Sequence, residues 1–324
     1  MKSKAWIPVL ATLLAVGSLS ATACKSKKKK DGPTTRTDHK VDTKLLSLFP
    51  ATTELIVGVN QSVRKGQLFG QVKGFLKTQL GSKVTVLNLC DIDIVEKSES
   101  VVGGGRMGFK DILVVVKGFK KADIAKCTEV AKGKGKEVTV NQDKQFTAVV
   151  VDKTTHWLAW LDDNTFLAGP DFDRDRLAKR LKGENGLDKD ERTVALLRMV
   201  DKSSDIWWGG MAPKGKPWKS PVGGFLSTRG SVSLAGGIKL DAAIGTPKAE
   251  TAKAISGMAA GQLSAPRDDR IKKVVKKLKV SHKDADVRVY MDVSNEDIKQ
   301  VVAAVADDES LQAVVRLIKR ALNL

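Results

Sequence analysis

Thr52-Thr53-Glu54-Leu55-Ile56-Val57-Gly58-Val59 and Ser203-Ser204-Asp205-Ile206-Trp207-Trp208-Gly209-Gly210-Met211 are the two stretches on which the fold turns. Each sets two hydroxyl residues and an acid before a short apolar run broken by glycine. The runs are rich in aliphatic and aromatic side chains, the composition of a strand. The likeness continues downstream of both. Residues 100–118 and 231–246 read as strand hairpins, and after each comes a helix whose start nearly repeats. Lys121-Ala-Asp-Ile-Ala-Lys126 stands against Lys248-Ala-Glu-Thr-Ala-Lys253. A strand and a helix close each copy, over residues 164–181 and 286–305.

The copies are unequal in length. Glu54 to Lys121 is 67 positions and Asp205 to Lys248 is 43, because the first copy carries an extra helix over residues 61–80. Leu68, Phe69, Val72, Phe75, Leu76 and Leu80 recur there at helical intervals, an apolar stripe that needs a sheet beneath it. The pattern predicts an α+β fold of two tandem related modules, antiparallel sheets with packed amphipathic helices, over residues 44–200 and 201–324. It does not decide between one domain, two domains, or one continuous sheet. Asp307-Asp308 caps a last predicted helix with Leu311, Val314, Val315, Ile318 and Leu322 on one face.

The chain has 324 residues, 42% of them hydrophobic and 29% charged, a globular composition long enough for one large or two smaller cores. Lys+Arg 56 against Asp+Glu 37 leaves a formal charge of +19. Such a surplus favours anionic partners: phospholipid headgroups, lipopolysaccharide, acidic glycans or nucleic acid. No apolar run beyond the first residues reaches the roughly 18 that a membrane-spanning helix needs.

Residues 1–24 read MKSKAWIPVLATLLAVGSLSATAC. Lys2 and Lys4 form a positive start, Ala5 to Leu19 an apolar stretch too short for an ordinary span, and small residues lead to a cleavage site. This is a secretory signal over residues 1–23, so nucleic acid is not an expected partner. Ala21-Thr22-Ala23-Cys24 resembles the bacterial lipobox, with Ala rather than Leu three residues before the cysteine. The resemblance implies a lipoprotein in which Cys24 is diacylated and becomes the N-terminus. Acyl chains contribute about 0.8 kcal/mol per buried CH₂, so two or three anchor stably where one would not. Lys25, where an aspartate would favour inner-membrane retention, then implies the outer membrane of a Gram-negative cell, facing the periplasm. Ala21 and Ala23 also satisfy an ordinary signal-peptidase site, which would release a soluble protein with an unmodified Cys24.

Residues 25–43, KSKKKKDGPTTRTDHKVDT, hold one aliphatic side chain, Val41, and are predicted to be a disordered basic tether that spans on the order of 25 Å. Lys25, Lys27, Lys28, Lys29 and Lys30 stand beside the acylated end, where each charge near an anionic surface is worth about 1 kcal/mol. They form either a second, electrostatic anchor or a solvated spacer. With Cys24 assigned, Cys90 and Cys127 remain, an even pair in an oxidising compartment and hence a predicted disulfide. The alternative is two buried thiols, and mass maps with and without reduction distinguish them.

No constellation reads as a catalytic site, and neither a cofactor nor a metal is expected. Gly103-Gly-Gly-Arg-Met-Gly108 spells G-x-G-x-x-G, but a strand comes after it instead of a helix, so it reads as a hairpin turn. Asp171-Phe-Asp-Arg-Asp-Arg176 has the alternating carboxylates of a calcium loop, yet Arg176 and Lys182 occupy the places of the obligate glycine and glutamate. Helix capping fits better. His39 lies in the tether, His156 in a strand, and His282 in a lysine-rich turn; no nucleophile elbow or metal-protease helix appears.

Trp207 and Trp208 are consecutive on a strand, so one ring faces the core and the other the opposite side. Trp208, with Trp218 and its neighbours Lys214 and Lys216 in a Pro/Gly loop, forms the candidate surface for an anionic glycan or protein partner. Core packing is the bland alternative for both rings. Arg270 to Lys279 reads as a helix with Ile271, Val274, Val275 and Leu278 on one face and lysines around the rest. The function expected is a membrane-anchored envelope lipoprotein, a non-enzymatic binding or assembly module. The alternatives are an envelope hydrolase and a purely structural lipoprotein.

Overall fold

The run Ile112-Leu113-Val114-Val115-Val116 is apolar without alternation, as a strand buried on both faces should be. The computed structural model describes residues 38–65, 94–108, 110–133, 137–151, 153–220, 223–263 and 269–300. In it this run lies in β3 (Lys110–Lys117). Leu113 and Val115 enter one apolar cluster, Val114 and Val116 another on the opposite face. The fold is α+β. Two compact units form, one of His39–Met211 and one that holds Ala212–Leu324.

In the first unit β1 (Leu55–Asn60), β2 (Ser100–Arg106), β3, β4 (Val138–Gln142), β5 (Phe146–Val151), β6 (Thr154–Asp162), β7 (Thr165–Ala168) and β8 (Ile206–Met211) pair antiparallel in the order β8-β1-β2-β3-β7-β6-β5-β4. One face is covered by α3 (Lys121–Ala125) and α4 (Cys127–Gly133), which come after the short α2 (Ile94–Lys97); Ile124, Cys127 and Ala131 pack there with Val149, Trp160 and Phe166. The other face lies under α1 (Thr43–Leu48), α5 (Arg174–Leu181) and α6 (Glu191–Arg198), with Phe49, Leu177, Leu197 and Trp207 in its core. Asp42, Asp173 and Asp190 cap these three helices, each carboxylate accepting from a backbone N–H of the first turn.

In the second unit β11 (Ser227–Ser233), β12 (Gly237–Gly245), β14 (Asp286–Ser294) and β13 (Leu278–Lys283) pair antiparallel in that order. A ribbon of β9 (Trp218–Ser220) and β10 (Gly223–Phe225) stands apart from them. The helix α7 (Ala249–Leu263) lays Ala252 and Ile255 against Val287 and Phe225, and α8 (Asp269–Val275) precedes β13. The two units share a wiring. In each, the second strand of the hairpin pairs with the strand that closes the copy, β3 with β7 and β12 with β14. A helix succeeds that closing strand, α5 in the first unit and residues 295–300 in the second.

Several expectations change. The strand at 205–211 does not open a second module: as β8 it pairs with β1, so the first unit runs to Met211, not residue 200. Residues 39–43, expected in the tether, belong to the first unit. The His39 N–H donates to the Arg198 carbonyl at 2.8 Å, and Val41 packs on the first unit's core. The second hairpin begins at Ser227, four residues before the match suggested. The helix predicted over 270–279 stops at Val275, and Leu278 opens β13 instead. A lysine-rich amphipathic run suits a helix or a strand edge, and the tertiary partner decides between them. Of the helix predicted over 61–80, Gln61–Lys65 form a tight 3₁₀ turn, and the rest lies outside the described residues, as does the helix predicted over 307–322.

Candidate functional site

Cys24, Lys25, Lys27, Lys28, Lys29, Lys30 and Cys90 lie outside the described residues. Cys127 opens α4 and is buried among Ile124, Ala131, Val138 and Phe166. Trp207 and Trp208 diverge as alternation requires: the first is buried, the second half-buried. Trp218 is half-buried, sits opposite Phe225 on the β9–β10 ribbon and packs on the Ala252–Val287 cluster. Lys214 and Lys216 are exposed in the turn before it, where Gly215 takes a φ of +73°. Trp208 belongs to the first unit, and Trp218, Lys214 and Lys216 to the second.

Of the acids of 171–176, Asp173 is spent on folding, as the cap of α5. The Asp173 carboxylate accepts from the Arg176 N–H at 2.8 Å, and the Arg176 guanidinium pairs with Asp111 at 3.1 Å over the Phe172 ring. Among the described residues no group of three or more His, Cys, Asp or Glu side chains could hold a metal ion. Gly103-Gly-Gly-Arg-Met-Gly108 is the end and turn of the β2–β3 hairpin, in keeping with its sequence.

His282 is on β13, not in a turn. Its Nδ1 lies 3.0 Å from the Ser256 Oγ of α7, an arrangement invisible in the sequence because the two are 26 positions apart. A serine beside an imidazole invites a nucleophile reading. The Ser256 hydroxyl, however, also lies 3.0 Å from the Lys253 carbonyl. Its single proton serves that acceptor when the imidazole N–H points at Oγ, and the pair then ties α7 to β13. His156 on β6 is pushed toward the neutral form by burial.

Two polar clusters brace the first unit. Asp143 accepts from the Gln145 and Phe146 N–H groups at 2.8 and 2.6 Å and from Arg174 at 2.9 Å. The two backbone bonds are the main reason its carboxyl sits below the usual range, and the Arg174 and Lys121 charges add to them. Arg174 stacks on the Phe146 and Trp157 rings. Behind α6, the Lys202 ammonium donates to the Leu197 and Val200 carbonyls at 2.7 and 3.2 Å, and burial lowers its pKa. The Asn60 amide bridges the Lys202 and Ser204 carbonyls at 2.8 and 2.7 Å. In both clusters a side chain is tied to backbone groups by two bonds or more, which is the chemistry of a brace.

The second unit differs, because its sheet has one polar face. Residues paired across strands share a face, and successive residues alternate. Val280, Ile244 and Val287 therefore turn to α7. The opposite face carries three complete cross-strand rows: Ser227–Gly245–Asp286–Lys283, Arg229–Ala243–Arg288–Ser281 and Ser231–Asp241–Tyr290–Lys279. Lys239 and Asp292 extend it. Arg229 pairs with Asp286 at 2.7 Å with its side chain 10% exposed. The Tyr290 hydroxyl donates to Asp292 at 3.1 Å; burial first, and the Asp292 carboxylate next, raise its pKa and keep it a donor. Lys279, Lys283, Asp241, Lys239 and Asp292 are exposed.

No helix among the described residues is long and apolar enough to cross a membrane. No protein-family model matches the chain, and none of the curated proteins is similar to it in sequence. Among solved structures, TP0453 in crystal form I superposes with a TM-score of 0.46 at 9% identity, over 82% of this chain and 98% of that one. Crystal form III of TP0453 gives 0.44 at 8% identity, over 82% and 99%.

Proposed function

We propose that this chain is a membrane-anchored lipoprotein of the bacterial envelope whose body is a non-enzymatic binding or assembly module. The observation that carries the reading is the order of the first thirty residues: a positive start, a short apolar stretch, small residues, Cys24, then Lys25 and Lys27–Lys30. Each part has its own physical role in export, cleavage, acylation and attraction to an anionic surface. The fold adds a boundary. Among the described residues the first unit is packed from His39 onward, so the link we propose ends before it. In a Gram-negative cell, Lys25 directs the protein to the outer membrane, with the body in the periplasm.

The test is fractionation of cells that express the native chain or Cys24→Ser, with radiolabelled palmitate. The native protein is expected in the membrane fraction and labelled; the variant is expected to be unlabelled and released. Identical fractionation of the two, without label on either, would remove the anchor and leave an exported soluble protein.

A further inference from the structure

We propose that the outer edge of β13 binds an acidic, extended segment of a partner protein, which adds to the sheet as one more strand. This rests on the reading of the body as a binding or assembly module and gives that module a partner class. It does not depend on the lipid.

The backbone defines the edge. The Thr246 N–H donates to the Ala285 carbonyl at 2.8 Å, and the Asn295 N–H to the Gly236 carbonyl at 3.2 Å. Those bonds turn the backbone groups of the odd-numbered β14 residues toward β12. The groups of Asp286, Arg288 and Tyr290 turn the other way, to Lys283, Ser281 and Lys279 of β13. The N–H and C=O groups of Leu278, Val280 and His282 therefore point to the outer side of β13. Among the described residues no strand pairs there. The edge runs over six residues without a bulge or a proline, two of the usual guards against strand addition. Behind it, the Ser256–His282 contact and the packing of Val280 hold β13 to α7, so the template exists before a partner arrives.

Charge selects the partner. A third guard, lysine, is present. Lys279 and Lys283 are exposed on one face of β13 with Ser281 between them, and the exposed Lys276 precedes the strand. Among the described residues these three lysines form no ion pair. A second β13 laid on the edge would set lysine against lysine, whereas an acidic strand turns the same charges into attraction. Side chains alternate along a strand, so carboxylates at every second residue, about 7 Å apart, all meet the lysine face. An anionic membrane answers the charge but leaves the outward N–H and C=O groups without a ladder. An extended peptide answers both.

The experiment is fluorescence anisotropy of the full chain, in neutral detergent at low salt, with short labelled peptides. One alternates valine with aspartate, a second gathers the same aspartates in one block, and a third alternates valine with lysine. The alternating acidic peptide is expected to bind one to one, and the other two at least tenfold weaker. Two N-methylated forms of it, one methylated at the valines and one at the aspartates, read the ladder. An added strand turns only alternate amides to β13, so one form should bind at least tenfold weaker than the other; for an antiparallel strand it is the valine form. The exposed double change Lys279→Glu with Lys283→Glu should weaken the acidic peptide at least tenfold and make the valine–lysine peptide the better ligand. A chain neutralised at Lys25 and Lys27–Lys30 should bind unchanged. The proposal is overturned by no binding of the alternating acidic peptide, or by equal binding of the block peptide, which is charge attraction of the kind a membrane also gives. Equal affinity of the two methylated forms, unchanged binding after charge reversal, or loss on neutralising the lysines after Cys24 overturns it as well. A chain that binds the peptide yet is not membrane-bound refutes the anchor alone, and an anchored chain that binds no peptide refutes the added strand alone.

Discussion

Gly58 shows how much one missing side chain can decide. It sits opposite Trp207 in the β1–β8 register, and a Cβ there would come within 2.1 Å of the indole Cε2. No rotation of so small a group relieves that contact, so the tryptophan or the strand must move. Gly58→Ala is expected to destabilise the first unit by about 1–3 kcal/mol, the usual cost of overpacking a filled core. Trp207→Leu should make the added methyl nearly harmless, so the double variant should lose clearly less than the two single losses combined. Urea unfolding of the three chains measures this, and strictly additive losses would mean that the ring does not lie over Gly58. The sequence shows Gly58 only as an interruption in a strand. Its cause lies in a partner strand far along the chain, and pairing at that range leaves no local mark. The Ser256–His282 contact was hidden for the same reason, while the capping role of Asp173 was legible because its partner is three residues away.

Elements were legible where the pattern that makes them is local. The β2–β3 hairpin shows its glycine turn, and the β7–α5 pair shows its acid cap. Residues 270–279 misled because lysines spaced among aliphatics satisfy two periods at once. From Leu278 the period is two, with Leu278, Val280 and His282 on one face and Lys279, Ser281 and Lys283 on the other. The helix over residues 295–300 is fixed by a capping box that the chain spells as Ser294-Asn-Glu-Asp297. The Ser294 N–H donates to the Asp297 carboxylate at 2.9 Å, and the Asp297 N–H donates to the Ser294 Oγ at 3.2 Å. Lys277, just before β13, adds an ion pair. Its bond to Asp297 is the first cause, ahead of those from Ser294, that brings this carboxyl down to about 2. A depressed acid favours the folded state above its ordinary range near pH 4, and that contribution drains away as the pH falls through about 2. Carbon-13 NMR of the full chain should place the Asp297 midpoint near 2, and Lys277→Met should move it upward toward 3.8. A midpoint that ignores the substitution would take Lys277 out of the cap.

At the scale of the whole molecule, the link that we propose between an anchor and the body must end where the first unit begins. Composition extended the link to Thr43, since Val41 is the one aliphatic residue between Lys25 and Thr43, and a single valine carries no period. Tertiary structure uses it nonetheless. Val41 packs on the first unit's core, the His39 N–H reaches the Arg198 carbonyl, and the Asp42 carboxylate accepts from the Leu45 N–H at 3.0 Å to start α1. Two deletions separate these views. Removing residues 25–38 leaves every one of these contacts in place, so unfolding of the body should be unchanged. Removing residues 25–42 deletes a helix cap, worth about 1 kcal/mol, together with partial burial of a valine, worth about 1–2 kcal/mol, and the tie to Arg198. The longer deletion should therefore lower stability by roughly 2–4 kcal/mol relative to the shorter. Urea denaturation followed by tryptophan fluorescence reads the difference, because Trp207 lies in the same core as Val41. Equal midpoints for the two chains would return the boundary to Thr43, and residues 39–42 would then belong to the link.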